Sequence, residues 1–473
     1  MSHAPLRGVD RRLRSLAYDV LCRRDRQSGW KPHRDALLSG MRKDAESLAR
    51  EAEEGLRRIL AHAYETSPHY RDTWSAMGLQ PSTLRTSADL QRLPLLTKDI
   101  IRERKSSLLS ERFREDELDL SFTGGTTGTQ TPFYRDHACT VSRVGRQWGI
   151  LELYGYRPGV RRGLVWGIHD DLPAQNVSRN LKQWFRRYAS SQETLCCTIL
   201  NERLMMEFHR KLLRFRPAVL YGYPSALVQL GRFIEDRNLE PIRVTTIFTT
   251  AERLRAAQRA RLTQAYGGEV FNLYCTREHG CIGFECHRHQ GFHIDTGSVF
   301  LETIKDGRPA APGEAGEIVI TDLLNYGMPF IRSRTGDVGM RAALPCECGS
   351  PLPLLRELDG RSSELMYRPD GSVVPGLMLT DLFMDLPSIR YSQFVQESIA
   401  QIDVLLVITG TLSEQLRTKV IREVRTLMGE DIEIRVRRVD DIERSPRSGK
   451  IREIVSKVEP LAVPGPQTGP LAQ

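Results

Sequence analysis

From Leu48 onward the chain returns an apolar residue to the same helical face every three or four positions. In "LAREAEEGLRRILAHAYE" these are Leu48, Ala52, Leu56, Ile59, Leu60 and Ala63, which predicts an amphipathic helix. The first part of the chain, residues 1–117, reads as mainly helical. From about residue 118 the pattern changes. Short runs rich in β-branched and aromatic residues appear: "AVLYGY", "VTTIFTT", "EVFNLYC" and "GEIVITDLLN". The helical pieces "SALVQLGRFIEDRN" and "RLRAAQRARLTQAYG" separate the first three. Strands alternating with helices predict a layered α/β domain. After Gly360 the polar stretch "GRSSELMYRPDGSVVPG" reads as an interdomain connection. "QIDVLLVITG", "LSEQLRTKVIREVRTLMG" and "DIEIRVRRV" then read strand, helix, strand, which predicts a small α+β lid domain. The resulting division is a helical part at 1–117, an α/β core at 118–360, a lid at 361–458 and a disordered Pro/Gly-rich tail at 459–473.

Composition narrows the picture only a little. The chain has 473 residues, 40% of them hydrophobic and 27% charged, with a formal net charge of +9. That length accommodates two or three domains, each with its own core. No apolar run approaches the roughly 18–20 residues that span a bilayer, and the first residues lack the apolar core of a secretory signal. A cytoplasmic protein with no membrane span is expected. A positive balance suits a phosphate-rich ligand, but no dense basic tract interleaved with aromatics argues for nucleic acid. Nine cysteines without a signal segment argue against a disulfide framework.

One loop carries candidate chemistry. "SFTGGTTGTQTPFYRD", Ser121 to Asp136, packs Thr and Gly between two aromatic residues. Glycine lets backbone N–H groups close around an anion, and Thr hydroxyls add rotatable donors. No "GK[ST]" follows, so this is not a P-loop NTPase. A flexible surface turn is the alternative reading of the run by itself.

Six further segments join it in order. They are "YGYPSALVQLGRF" (Tyr221 to Phe233), "TTAERL" (Thr249 to Leu254), "NLYCTREHGCIGFEC" (Asn272 to Cys286), "RSRTGDVG" (Arg332 to Gly339), "GRSSEL" (Gly360 to Leu365) and "SPRSGKIREIV" (Ser445 to Val455). Together these resemble the motif series of the phenylacetate–CoA ligase-like family of adenylate-forming enzymes, over roughly residues 45–458. Each motif is weak alone, and seven in order are strong. Three positions depart from the pattern. Cys275 replaces the usual glycine of "YG-x-x-E", Gln130 stands where many relatives carry lysine, and the hinge lacks the superfamily's aspartate. Phenylacetate itself is therefore not implied.

The resemblance implies a large multi-layered adenylate-forming N-terminal domain, a mobile C-terminal lid, and the cofactors ATP, Mg²⁺ and coenzyme A. A carboxylic acid and ATP would give an acyl-adenylate, whose acyl group passes to a thiol. Thr123, Gly124, Gly125, Thr126, Thr127 and Gly128 would hold phosphates. Glu278 would bind Mg²⁺, a hard cation that prefers oxygen; a solvated loop carboxylate is the alternative. Ala251 and Glu252 would lie beside adenine. Asp337 would accept bonds from the ribose hydroxyls, or merely cap a turn. Arg361 would contact ribose or phosphate, or form an interdomain ion pair. Tyr274 would stack on adenine or pack in the core. Tyr221, Tyr223 and Pro224 would line the acyl pocket, with burial at strand ends an equal account. Lys450 would serve catalysis from the lid, alongside Glu278 and Thr126.

A Cys/His cluster stands apart. "ECHRHQGFHID" and "LPCECGS" offer Cys286, His287, His289, His293, Cys346 and Cys348. Thiolate and imidazole ligands in fours suit structural Zn²⁺. Relatives carry a Cys₃His site here, which implies Cys286, His293, Cys346 and Cys348, with His289 the substitute for His293. Reduced buried cysteines beside surface histidines are the alternative. The expected activity is acid–thiol ligation, with a homodimer among the expected partners. The competitors are transfer to an amine or sugar in polysaccharide biosynthesis, and a non-catalytic zinc-stabilised nucleotide-binding protein.

Overall fold

The computed structural model describes residues 4–25, 27–84, 86–122, 131–166, 181–197, 202–361, 365–369, 373–375, 379, 382–383, 386, 388–443 and 452–458. The chain divides into two compact units, one running through Gly360 and the other beginning at Arg361.

In the first unit the helices are α1 (Ala4–Arg24), α2 (Trp30–Gly40), α3 (Ala45–Thr66), α4 (Pro68–Ala76), α5 (Lys98–Glu103), α6 (Lys105–Leu108), α7 (His137–Leu153), α8 (Leu181–Ser190), α9 (Glu202–Phe215), α10 (Pro224–Asp236) and α11 (Ala256–Tyr266). Its strands are β1 (Asp119–Phe122), β2 (Pro132–Arg135), β3 (Arg162–Trp166), β4 (Gln192–Cys196), β5 (Val219–Gly222), β6 (Thr246–Thr250) and β7 (Glu269–Thr276), followed by β8 (Gly280–Glu285), β9 (Phe292–Ile294), β10 (Val299–Lys305), β11 (Arg308–Pro309), β12 (Ala315–Asp322), β13 (Ser333–Arg341) and β14 (Leu354–Arg361).

Twelve strands form one sheet in the order β11-β10-β12-β13-β14-β9-β8-β7-β6-β5-β3-β4. The strands β4, β3, β5, β6 and β7 run parallel; from β7 to β8 the pairing turns antiparallel. Successive side chains on a strand point to opposite faces, and both faces of the parallel half are covered. Val165, Leu220, Ile247 and Val270 pack with Phe208, Leu212, Leu230, Phe233, Leu262 and Tyr266 of α9, α10 and α11. Val219, Phe248 and Phe271 pack on the other side with Trp30, Leu37, Val141 and Trp148 of α2 and α7. All five residues of β6 are therefore buried, as expected of a parallel strand with helices on both sides. Gly222 belongs to this tight register, since a Cβ there would lie 2.5 Å from the Val165 carbonyl oxygen.

The predicted amphipathic helix is α3. All six of its apolar positions are buried, and the Asp44 carboxylate accepts from the Ser47 amide at 2.7 Å, capping its first turn. Strands β1 and β2 pair antiparallel, Phe122 opposite Pro132, so the Gly/Thr-rich loop connects the two strands of a hairpin. Directly after β2, Asp136 is buried and accepts from the Cys139 amide of α7 at 2.8 Å and from the Tyr326 and Gly327 amides at 2.7 and 3.0 Å.

The second unit contains β15 (Leu365–Tyr367), β16 (Val373–Pro375), β17 (Ile389–Ser398), β18 (Gln401–Ile408), α12 (Glu414–Met428), β19 (Glu433–Arg438) and β20 (Ile454–Ser456). Its four-stranded sheet runs β19-β18-β17-β20. Ile402, Val404 and Leu406 pack against Val420, Val424 and Met428 of α12. The polar stretch after Gly360, expected as a plain connection, instead forms a small hairpin. Leu365, Met366 and Tyr367 pair with Pro375, Val374 and Val373, and buried Met366 and Val374 join this unit's core. Two apolar residues outweigh the polar composition around them.

Arg332, the first residue of "RSRTGDVG", is a tie rather than a surface charge. It is buried and pairs with Glu302 of β10 through two contacts of 3.1 Å. Its backbone oxygen accepts from the Leu96 amide at 2.9 Å, and the Leu96 oxygen accepts from the Arg334 amide at 3.0 Å. This joins the helical first part to the sheet. Burial raises the Glu302 carboxyl above its ordinary value, against the pull of Arg332. Arg332→Met would strand that carboxylate in the interior, and we expect a loss of about 3–5 kcal/mol in urea unfolding. A loss under about 1 kcal/mol, the range of exposed pairs, would show that water reaches the pair.

Candidate active site and a thiol–imidazole cluster

Ligands of open α/β sheets bind outside the carboxyl ends of the strands, so the register of the parallel half decides which residues meet. Gly222 of β5 is opposite Thr249 of β6, and Thr249 is opposite Asn272 of β7. Three of the sequence segments, separated by tens of residues, thus end side by side.

From β5 the chain enters α10 with Pro224 at its first position, where a missing N–H costs nothing. Tyr223 and Pro224 are buried and Tyr221 is partly buried. The Trp166 ring lies 5.9 Å from Tyr221 and 5.0 Å from Tyr223. Tyr223 belongs to the core beneath the helices, so of the three residues expected at an acyl pocket only Tyr221 presents partial exposure. At the end of β6, Ala251 has φ +69°, a conformation that costs a non-glycine residue. Glu252 then reaches back to α10: its carboxylate accepts from the Ser225 amide and hydroxyl, both at 2.9 Å. A carboxylate is favoured at a helix N-terminus. Glu252 is therefore a brace of the Tyr223–Pro224 turn.

Strand β7 continues to Glu278 in a tight turn before β8. The neighbouring groups are buried charges. His279 Nδ1 lies 3.4 Å from Asp322 Oδ2, and Arg143 of α7 donates to the same Asp322 oxygen. Asp322 also accepts from the Leu324 and Asn325 amides. Its carboxyl is held below the ordinary value by Arg143 and His279, although burial acts in the opposite sense. This network fixes the base of the Glu278 turn from α7 and β12. Arg143 and Asp322 are 179 positions apart, and no sequence signal pairs them.

Tyr274 is buried, and its hydroxyl donates to Asp337 Oδ2 at 2.8 Å across 63 positions. The Asp337 amide in turn donates to Thr335 Oγ1 at 3.1 Å. The "YC-x-x-E" and "TGD" segments meet through this bond, which engages the Tyr274 hydroxyl. Arg361 ends β14. Thr123, Gly124, Gly125, Thr126, Thr127, Gly128 and Lys450 lie outside the described residues.

A second constellation lies on the antiparallel half. Cys286 follows β8, His293 lies on β9, and Cys346 and Cys348 precede β14. One donor atom from each lies within 4.8 Å of all the others. Cys286 and Cys346 Sγ are 3.7 Å apart and Cys348 Sγ is 3.3 Å from His293 Nε2. A tetrahedron with Zn–S of about 2.3 Å has edges of roughly 3.8 Å, so the donors present fit such an ion. The Arg288 and Ser350 amides donate to Cys286 and Cys348 Sγ, each at 3.4 Å. Burial pushes the Cys286 thiol up to about 12. His289 is turned elsewhere: its Nδ1 faces Arg259 at 3.1 Å and Glu285 at 3.4 Å. It is therefore not the alternative to His293, because the Arg259–Glu285 pair engages its ring.

With this geometry in place, comparison with known proteins is informative. Residues 366–457 match the family model of the CapK C-terminal domain. Protein CapK of Staphylococcus aureus is 24% identical over 394 residues, covering 79% of this chain and 82% of that protein. Phenylacetate-coenzyme A ligase of Thermus thermophilus is 25% identical over 360 residues, covering 70% of this chain and 75% of that protein. Among solved structures, 2-hydroxyisobutyryl-CoA ligase with a bound adenylate superposes with a TM-score of 0.69 at 19% identity, over 86% of this chain and 89% of that one. The chain has the fold of the adenylate-forming CoA ligases. Its named relatives over most of its length are CapK and phenylacetate-coenzyme A ligases.

Proposed function

We propose that this protein is an ATP-dependent ligase that activates a carboxylic acid as its acyl-adenylate and passes the acyl group to coenzyme A. The observation that carries the reading is the Tyr274–Asp337 bond. It joins two motif segments at the carboxyl edge of the parallel strands, in a fold whose solved members bind acyl-adenylates. Attack of a carboxylate on the α-phosphate of ATP brings anions together, so aimed donors and positive charge must offset the repulsion. Thr123, Gly124, Gly125, Thr126, Thr127 and Gly128, between β1 and β2, supply amide and hydroxyl donors for the outer phosphates. Asp337, steadied by Tyr274, accepts from the ribose hydroxyls. Arg361 adds charge near the ribose or phosphates, and Ala251 with the Glu252-braced turn forms the adenine side. Glu278 holds Mg²⁺, which would neutralise phosphate charge when bound. Tyr221 faces the acyl group.

Lys450 supplies the ammonium that bonds the carboxylate and α-phosphate as charge gathers between them. That role belongs to the first half-reaction alone, because the lid is expected to rotate before thiol attack.

Cys286, His293, Cys346 and Cys348 hold a structural Zn²⁺ in this reading, four protein ligands leaving no open position.

Pyrophosphate release with a panel of carboxylic acids tests the activity and names the acid; adding coenzyme A, amines or sugars in turn names the acceptor. Lys450→Ala should slow adenylation by roughly 10²–10³, the cost of one well-placed transition-state donor. The same variant given preformed acyl-adenylate should still transfer the acyl group. Equal loss in both halves would assign Lys450 to structure instead, and no pyrophosphate release with any acid would remove the ligase reading.

The metal is tested separately. Elemental analysis should find about one zinc per chain, with Cys346→Ser lowering both zinc content and melting temperature, since structural zinc contributes folding energy directly. Zinc-free protein with an unchanged melting temperature would refute the site.

A further inference from the structure

The hairpin that carries Glu278 is closed by two cysteines that the ligase chemistry leaves unused. Cys275 of β7 and Cys281 of β8 are direct partners across the antiparallel pair. Residues opposed in this way hold their Cα atoms about 4.5–5.5 Å apart, within the roughly 4.4–6.8 Å that a disulfide spans. Both side chains pack with Tyr221 against the same apolar cluster. Cys281 Sγ also lies 3.5 Å from the Gly283 carbonyl oxygen. Both cysteines are partly exposed, and neither belongs to the Cys286–His293–Cys346–Cys348 set.

The environment distinguishes the two sulfurs. The neighbouring Cys281, then Thr250 and Tyr221, lower the Cys275 thiol below its ordinary value against the effect of burial. The contact with Cys275, together with burial, raises Cys281. A thiolate is the nucleophile and a thiol is not, so Cys275 is the sulfur poised to react first.

We propose that Cys275 and Cys281 form a peroxide-reactive thiol pair whose disulfide clamps the Thr276–Gly280 turn around Glu278. The Cys275 thiolate attacks one oxygen of hydrogen peroxide, the O–O bond breaks, and the departing hydroxide takes a proton to leave as water. Cys275 becomes a sulfenic acid. The Cys281 sulfur then attacks the Cys275 sulfur; its own proton and the sulfenic hydroxyl leave as a second water. Two thiols are oxidised by two electrons and one peroxide is reduced to two waters. The bond draws Cys275 away from Tyr221 and Thr250 and shortens the base of a five-residue turn. Its effect on activity rests on the ligase reading through Glu278 and Tyr221; formation of the bond does not.

The test oxidises the full-length chain with hydrogen peroxide, blocks remaining thiols, and maps peptides by mass spectrometry. We expect a mass loss of about 2 Da assigned to a Cys275–Cys281 link, reversed by dithiothreitol and absent from Cys281→Ala. Acid-dependent pyrophosphate exchange by the oxidised protein should fall about 10²-fold, the cost of displacing a positioned group by about 1 Å. Dithiothreitol should restore it, and Cys281→Ala should keep its activity through the same treatment. Both thiols remaining open to alkylation, or a link mapped only among Cys286, Cys346 and Cys348, would overturn the pair. Equal inactivation of Cys281→Ala would overturn the clamp. Should the reduced protein turn over no acid at all, the ligase reading falls, and the mapped link by itself upholds or removes the pair.

Discussion

Lateral registration of the parallel strands is the constraint on which the candidate site depends. Strands β5, β6 and β7 are covered by helices on both faces, so sliding one of them would expose a row of apolar side chains on each side at once. A shift of a single residue also exchanges the two faces, bringing Phe248 and Phe271 under α10 and α11 in place of Ile247 and Val270. Packing thereby fixes which residues emerge at the carboxyl edge. The Tyr221–Pro224 turn, the Ala251–Glu252 turn and the Glu278 turn are neighbours because the core beneath them tolerates one alignment. Glu252 completes this by bracing the N-terminus of α10 from the end of β6. One turn supports the next.

Buried ion pairs supply a second level of order. Arg143–Asp322, Arg146–Asp295 and Arg332–Glu302 each join elements far apart in the chain with both side chains largely removed from solvent. Such pairs are weak evidence for net stability, because desolvation cancels much of the attraction. Their value here is positional. A charge that must find its partner in the interior disfavours every packing that leaves it alone. Two of the three pairs anchor α7 to the antiparallel half of the sheet. The third ties the segment around Leu96 to β10 and β13. The helical first part is in this way locked to the sheet whose edge bears the site.

How much of this could be read from the sequence follows from the range of each signal. The face of α3 was legible because Leu48 to Ala63 repeats within a single helix, where periodicity and burial are the same statement. The strands β5, β6, β7 and β12 were legible as short β-branched runs, and the β18–α12–β19 order by the switch of period between them. Strands β8 and β13 were not, since Gly280, Gly283, Gly336 and Gly339 interrupt any apolar pattern, and β9, at three residues, is too short to show one. The hairpin of β15 and β16 was hidden by polar neighbours. At the site, Tyr274 and Asp337 were named from their motifs, but the bond between them depends on a contact 63 residues long. His279 and Asp322, 43 positions apart, were singled out by no motif. Tyr223 was named for a pocket and lies in the core, because an aromatic residue at a strand end satisfies either description until the helices above it are placed. His293 and His289 offered the same ligand chemistry four positions apart, and only the partners of each ring separate them.

The β7–β8 hairpin is where the two halves of the sheet meet, and this explains why so many candidate groups gather on it. Strand β7 is bonded parallel to β6 on one side and antiparallel to β8 on the other. It therefore shares the carboxyl edge of the parallel strands while reversing direction at its tip, which no other described strand of the twelve-stranded sheet does. The turn at that point carries Glu278, and the return strand β8 takes the chain back toward Cys286 and the thiol–imidazole cluster. The ladder slips by one residue between Tyr274 and Cys275. A bulge of this kind re-aims the side chains beyond it, bringing Cys275 opposite Cys281 while Tyr274 keeps its hydroxyl on Asp337. A glycine at position 275 would leave that wall without a side chain. The cysteine found here supplies a polarisable sulfur that packs against the same cluster as Tyr221 and stands opposite Cys281 at the base of the Glu278 turn.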